Sequence, residues 1–297
     1  MAPILHHIVH PSDFSDASRT AFAHALKAAL IAKSKLTLIH VTNDEERDWT
    51  EFPGVRDTLE AWQVLPQASP QKALLDLGID VAKIIGPGRD PVQGVLSYLE
   101  DHTADLIVLA THHHGFDWLR KSVSEPVARK SRTMTLFVPA ERRGFISPDD
   151  GSVSLGSILI PVAATPSPGP AIAGAARVVR QLKAEQGTFT LLHAGEKEPS
   201  VTTPEVSGWN WHTSARKGDV TDVILDTARK IEADLIIMST DGRNGFLDTL
   251  RGSHSERVLR NAPCPVLAIP ESAYIGTRLE KAENVDWYRQ REKPVRR

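Results

Sequence analysis

Two copies of a parallel α/β unit in one chain is the fold class that the sequence predicts. Three observations carry that reading. Short runs of Val, Ile and Leu alternate with stretches whose apolar residues recur at helical spacing, the pattern of a parallel sheet covered on both faces. The order of these segments then restarts in the second half of the chain. Finally, Met238 to Glu256 reads as the end of a strand, a glycine-bearing loop and the start of a helix.

The elements follow in order. Ile4 to Pro11 reads as strand one, and Asp13 to Ser18 as a polar turn. Phe22, Leu26, Ala29 and Leu30 fall on one helical face, so a helix is predicted from Asp16 to about Lys33. Leu36 to Val41 is strand two. Thr42 to Gln71 is polar and mixed, with a helix predicted around Val55 to Val64. Ile79 to Ile85 is strand three. After the loop from Gly86, Asp90 is placed to cap a helix with Pro91 at its first position and Gln93 as capping-box partner. Val92, Val95, Leu96 and Leu99 form the buried stripe of that helix. Ala104 to Ala110 is strand four, Ser122 to Arg129 a helix, and Thr133 to Val138 strand five.

The repeat is collinear. Ile158-Leu-Ile-Pro161 matches Ile8-Val-His-Pro11 at an offset of 150, and Thr190-Leu-Leu-His193 matches Thr37-Leu-Ile-His40 at 153. Ala233-Asp-Leu-Ile-Ile matches Ala104-Asp-Leu-Ile-Val at 129, and Ser253-His-Ser-Glu256 matches Ser122-Val-Ser-Glu125 at 131. The drop from 153 to 129 shortens the second copy by 24 residues between strands two and four, which removes the helix after strand two. The expected organisation is a first domain over residues 1–141, a second over 156–271, and a polar tail over 272–297 with a short surface helix near 278–290. The apolar fifth strands, Thr133 to Val138 and Val266 to Ile269, are edges suited to covering each other, which predicts intrachain pairing of the two units.

Bulk properties exclude several classes. The net charge is -2, so nothing draws the chain to nucleic acid or an anionic membrane. Cys264 is the only cysteine, so no intrachain disulfide forms, and a cytoplasmic setting is expected. The first residues lack the charged and apolar regions of a signal peptide. No stretch approaches the roughly 18 apolar residues of a membrane span.

In the loop after Met238, Gly242, Gly245 and Gly252 allow close approach of backbone to a ligand, and Ser253 with Glu256 makes a capping box. Free N–H groups at a helix start suit a phosphate. Local chemistry alone equally fits an ordinary strand-to-helix turn. The spacing is neither a Walker A loop nor a G-x-G-x-x-G fingerprint. Gly242, nine residues, then Gly252-Ser253 resembles the nucleotide loop of the universal stress protein family, G-x2-G-x9-G-[S/T]. Ser255 to Pro270 is similar to that family's helix and last strand. One departure is Ser239, which stands where the pattern has its first glycine.

The resemblance implies two tandem open parallel five-stranded sheets of strand order 3-2-1-4-5, of the adenine-nucleotide alpha-hydrolase-like class. It also implies a stress-response regulator binding ATP or a related adenine nucleotide, with ligand beyond the carboxyl ends of strands one and four. By the resemblance, the site in the second copy comprises Pro161, Val162, Ala163, Ala194, Met238, Ser239, Asp241, Gly242, Gly252, Ser253 and Ser255. The family's first-loop aspartate is present in the first copy as Asp13 and replaced by Ala163 in the second. The glycine loop is present in the second copy, while the first has His113 and Lys121-Ser122 in a segment two residues shorter.

The alternatives are a scaffold that acts through an unidentified protein partner without nucleotide, and a metal-responsive variant. For the latter, His10, His40 and His112 to His114 fall at strand ends near Asp13, where imidazoles suit zinc; adjacent loop histidines, however, point different ways. Asp13 alone also reads as a helix cap. His6 and His7 cannot face one side of a strand. His40 and His193 occupy matching places and suggest a packing role. Cys264, between two prolines, reads as a small buried hydrophobe. No Walker lysine, acidic pair for magnesium or G-x-S-x-G elbow is present, so no catalytic residue is assigned.

Overall fold

The computed structural model describes residues 5–43, 52–111, 123–140, 142, 144–240 and 254–271. In the first half β1 (His7–Pro11), α1 (Asp16–Ala32) and β2 (Lys35–Thr42) are followed by short helices α2 (Val55–Ala61) and α3 (Lys72–Asp76). Then come β3 (Asp80–Pro87), α4 (Pro91–Asp101), β4 (Leu106–Thr111), α5 (Ser124–Ser131) and β5 (Met134–Pro139). The second half runs β6 (Ser157–Pro161), α6 (Gly169–Leu182), β7 (Gly187–His193), β8 (Trp209–Ala215), α7 (Val220–Lys230), β9 (Leu235–Thr240), α8 (His254–Asn261) and β10 (Val266–Pro270). As the offsets imply, no helix lies between β7 and β8.

All ten strands form a single sheet, ordered β3-β2-β1-β4-β5-β10-β9-β6-β7-β8. Each half has the order 3-2-1-4-5, but the expectation of two separate sheets is corrected to one. The reason lies in the fifth strands. β5 and β10 are apolar on both faces, so an open edge would leave buried N–H and C=O groups without partners. They pair with each other, antiparallel, in the register Val266↔Phe137, Leu267↔Leu136 and Ala268↔Thr135. Every other strand pairing is parallel. The carboxyl ends of the two halves therefore point to opposite edges of the sheet.

Period-two alternation divides the core. Ile8, Leu36, Leu106, Leu136, Ile158, Leu235 and Leu267 face one side, under α1, α2 and α6. Val9, Ile39, Ile107, Phe137, Leu159, Ile236 and Val266 face the other, under α4, α5, α7 and α8. In α1 the buried stripe is Ala21, Phe22, Ala25, Leu26 and Ala29, at the spacing read from the sequence. In α4 Asp90 accepts from the N–H groups of Val92 and Gln93. The Gln93 amide donates to Ser97 instead of returning to the cap, so the predicted capping box is half formed.

β8 was not legible as a strand, although Trp209-Asn-Trp211 alternates. Its two indoles pack on Phe189, with ring centroids 4.6 and 4.1 Å away. Gly208 turns the chain into β8 at φ 77°, where any Cβ would run into the carbonyl of Glu185.

The segment between the halves is packed rather than loose. Ile146 bridges Val153, and Phe145, Ile146 and Leu155 are buried. His24 on α1 holds it: Nδ1 donates to the Thr20 carbonyl at 2.7 Å and Nε2 accepts from the Ile146 N–H at 3.3 Å. Phe145 meets the imidazole edge-on at 4.5 Å. Burial holds His24 at about 4, well below 6.5, against the smaller opposing effect of the Thr20 carbonyl. His10 is also lowered to about 4, again chiefly by burial.

Between about pH 4 and 6.5 the folded chain therefore binds fewer protons than the unfolded chain at these two sites. Their stability contribution is whole above pH 6.5 and is lost as the pH falls through that window. It amounts to at most about 3 kcal/mol per histidine. Urea denaturation across pH 7 to 4.5 should show this loss, and His24→Gln should flatten the slope. An unchanged slope in the variant would count against the assignment.

Candidate functional site

In each half the chain leaves the first strand in one direction, returns, and leaves the fourth in the other, which opens a crevice between them. The register shows the opening. β1 and β4 pair only at Ile8↔Leu106 and Val9↔Ile107, and β6 and β9 only at Ile158↔Leu235 and Leu159↔Ile236. Beyond those pairs the strands run on to Pro11, Thr111, Pro161 and Thr240 without pairing across the gap.

The first-half crevice is filled by the chain's own side chains. His10 is fully buried, and its Nδ1 donates to the Val108 carbonyl across the splayed strands at 2.9 Å. Asp13 Oδ1 accepts from the Ser15 N–H and from the hydroxyls of Ser15 and Ser18, at 3.0, 2.6 and 2.7 Å. The carboxylate thus organises the turn into α1 from outside the helix; the N-cap position itself is Ser15, so the reading of Asp13 as the cap is corrected. Phe14, at φ 63°, stacks on His40 at 4.1 Å and meets Phe52 edge-on at 4.9 Å. An aromatic residue in that backbone region is unusual, and the two ring contacts hold it there.

The second-half crevice differs at each of these points. Ile160 stands where His10 does, and Ala163 where Asp13 does. Ala163, Ala164 and Thr165 are exposed. One feature is shared. His193 Nδ1 donates to the Val162 carbonyl at 3.0 Å, as His40 Nδ1 does to the Ser12 carbonyl at 2.7 Å. Each histidine ties the loop after the first strand to the second strand, alongside the bonds Val162 N–H to Leu192 and Ser12 N–H to Ile39. The packing role read for both histidines from the sequence is the one seen.

Of the predicted site residues, Pro161, Val162, Ala163 and Ala194 come together at the carboxyl ends of β6 and β7. Val162 is buried, and Ala194 half-buried. Ser239 lies on β9, and its hydroxyl accepts from the Ala171 N–H of α6 at 3.1 Å. It satisfies one of the unpaired donors at that helix start. The side chain of Met238 packs in the core on the second face and does not line the crevice. Ser255 belongs to α8. Asp241, Gly242, Gly252 and Ser253 lie outside the described residues, as do Gly245, His112 to His114, Lys121 and Ser122.

Sequence reading missed Ser239 as a helix cap and the Gly195–Arg216 clasp beside Ala194. There the Gly195 N–H donates to the Arg216 carbonyl at 3.0 Å, and the Arg216 guanidinium reaches the Thr227 hydroxyl at 2.7 Å. A serine facing a helix start across a sheet carries no local signal. Among the described residues no cluster of three metal-ligating side chains occurs. Burial pushes the Cys264 thiol up, consistent with a packing residue. No helix among the described residues is long and apolar enough to cross a membrane.

Fold and crevices together define an open α/β protein, built twice in one chain, of the kind that holds ligands beyond the carboxyl ends of its strands. The universal stress protein family model matches residues 5–139 and 208–270, more than half of the chain, and the chain belongs to that family. A universal stress protein of Methanocaldococcus jannaschii is 45% identical over 58 residues, which is 20% of this chain and 34% of that protein. A universal stress protein E homolog of Haemophilus influenzae is 39% identical over 61 residues, 20% of each chain. These matches span about a third and a fifth of the relatives' lengths. The crystal structure of a universal stress protein from Archaeoglobus fulgidus superposes at a TM-score of 0.57 with 19% identity, covering 89% of this chain and 98% of that one. At that identity the likeness is one of fold.

Removing the Ser239 hydroxyl leaves the Ala171 N–H unpaired. Ser239→Ala should lower stability by about 1 kcal/mol, measured by urea denaturation at neutral pH. No change would show that water replaces the hydroxyl.

Proposed function

We propose that this chain is a regulatory, ligand-sensing member of its family whose second half binds one adenine nucleotide, ATP or a related molecule, without significant turnover. The observation that carries the reading is the difference between the two crevices. The first is occupied by His10, Phe14, His40 and Phe52. The second has Ile160 and an exposed Ala163 in the corresponding places, and its sequence carries the family's glycine loop.

In this reading the phosphates meet Gly242, the N–H groups of Gly252 and Ser253, and the hydroxyls of Ser253 and Ser255. The base lies near Pro161 to Ala163 and Ala194. Backbone N–H groups at a helix start bind anionic oxygen without supplying a base or a nucleophile, and the sequence offers no Walker lysine. Binding and sensing, rather than hydrolysis, is the chemistry that this set supports. Ala163 lacks the carboxylate that a ribose or base hydrogen bond would use. That loss costs about 1–3 kcal/mol, roughly ten- to hundredfold in affinity. The seat of Ser239 against α6 keeps its hydroxyl occupied on the helix side of the strand.

Calorimetry with ATP on the intact chain should give a stoichiometry near one, lost in Gly252→Lys, which copies Lys121 of the first half, while the fold persists. Two equivalents, or binding untouched by the substitution, would place the site elsewhere. No binding at millimolar ATP would favour a scaffold acting through protein contacts. A steady-state ATPase rate of about 1 s⁻¹ or more, ordinary for an enzyme, would refute the absence of turnover.

A further inference from the structure

The contact between β5 and β10 is symmetric about one point. Leu136 and Leu267 face each other in the register, with Phe137 opposite Val266 and Thr135 opposite Ala268. The two strands are related in sequence by an offset of 131, at which Leu136 maps onto Leu267, Phe137 onto Ala268 and Thr135 onto Val266. An approximate two-fold axis therefore passes between the two leucines. α1 packs on β5 and α6 packs on β10. Between the two helices, over Leu136 and Leu267, lies a cavity of about 470 Å³. Its helical walls obey the same axis. At an offset of 150, His24 matches Gly174, Lys27 matches Arg177, Ala28 matches Val178 and Ile31 matches Gln181, and all of them line the cavity. Lys33 and Lys183, at the same offset, end the two helices in the left-handed region at φ 52° and 53°.

The two-fold relation fails at one place. After β5 ends at Pro139, the first large apolar residues are Phe145 and Ile146, and both line the cavity. They are seated on α1: an added Cβ at Gly144 would run into the His24 imidazole, and Phe145 meets that ring at 4.5 Å. Among the described residues the second half supplies no counterpart to this pair. In the sequence, the counterpart follows β10. After Pro270 the first large apolar residues are Tyr274 and Ile275, again an aromatic residue followed by isoleucine. Residues 272–297 lie outside the described residues. The last described ones lead toward α6: Ile269 packs against Gly174, and the Glu271 carboxylate accepts from the N–H of Ser167, just before that helix, at 2.6 Å. Five extended residues beyond Pro270 span at most about 17 Å, which is enough to bring Ile275 into the cavity.

We propose that Tyr274 and Ile275 dock in this cavity beside α6, as Phe145 and Ile146 do beside α1. The segment after β10 is then the two-fold mate of the segment between the halves. Removal of two large apolar side chains from water drives the docking. The lining that receives them is apolar, with Pro170, Gly174 and Val178 from α6 and Ile31 from α1. Because helices of both halves bound the cavity, the docked segment clamps α1 against α6. This site lies over the seam of the sheet, away from the crevices at the strand ends, and does not depend on the nucleotide reading.

Thiol accessibility in the full chain tests the docking. Cys264 is buried, so it adds no fast background. At neutral pH the thiol of Ile275→Cys should react with N-ethylmaleimide about tenfold or more slowly than that of Arg291→Cys, farther along the same tail. Val178→Trp, which fills the cavity, should remove that protection with an unchanged circular dichroism spectrum. Ala28→Phe on the opposite wall serves the same purpose if Val178→Trp fails to fold. Equal rates for the two thiols would overturn the proposal. So would protection that the filling variants leave intact, because the segment would then pack elsewhere. Protection that disappears on dilution would also overturn it, because the segment would then dock on a second copy of the chain.

Discussion

The rest of the structure depends on the antiparallel contact between β5 and β10. Three register pairs, Val266↔Phe137, Leu267↔Leu136 and Ala268↔Thr135, join two parallel five-stranded arrays into one sheet. Equivalent strands from two similar units meet antiparallel because an approximate two-fold relation between the units requires it. The contact buries two apolar edges that neither half could leave in water. It places the two crevices at opposite edges of the sheet.

The two crevices show how one architecture is put to different use by a few side chains. At the first, three side chains have internal tasks. His10 spans the splayed strands, Asp13 organises a helix start, and Phe14 closes over His40 and Phe52. At the second, the shared histidine clasp persists at His193, but Ile160 and Ala163 have no polar group to commit. The difference follows from local chemistry at strand ends. The core layers beneath both crevices are built alike, from alternate residues of each strand.

Much of the fold was legible in the sequence. The stripe Phe22, Leu26 and Ala29 of α1, the cap at Asp90, the central strands and the missing helix after β7 follow from period, capping residues and offsets. β8 was not legible. Trp209 and Trp211 earn their place by packing on Phe189, which precedes them by some twenty residues and announces nothing locally. Of the candidate site, Pro161 to Ala163 and Ala194 lie at the carboxyl ends of the neighbouring strands β6 and β7. The side chain of Met238 was not part of that cluster, because strand alternation turns it to the opposite face. Ser239 was read as a substituted glycine; its partner, the Ala171 N–H, became apparent only across the sheet.

The sequence by itself determined the doubled α/β plan, the family and the contrast between an aspartate-bearing first loop and a glycine-bearing second one. Those features are carried by neighbouring residues, so periodicity and spacing record them. The tertiary structure alone decided that the two units share one sheet, that His24 holds the segment between them, and that Phe14 closes the first crevice. Each of these is a contact between residues far apart in the chain, or a choice of partner for an edge strand. The residues involved carry the capacity for such contacts, but folding in three dimensions selects which of them form.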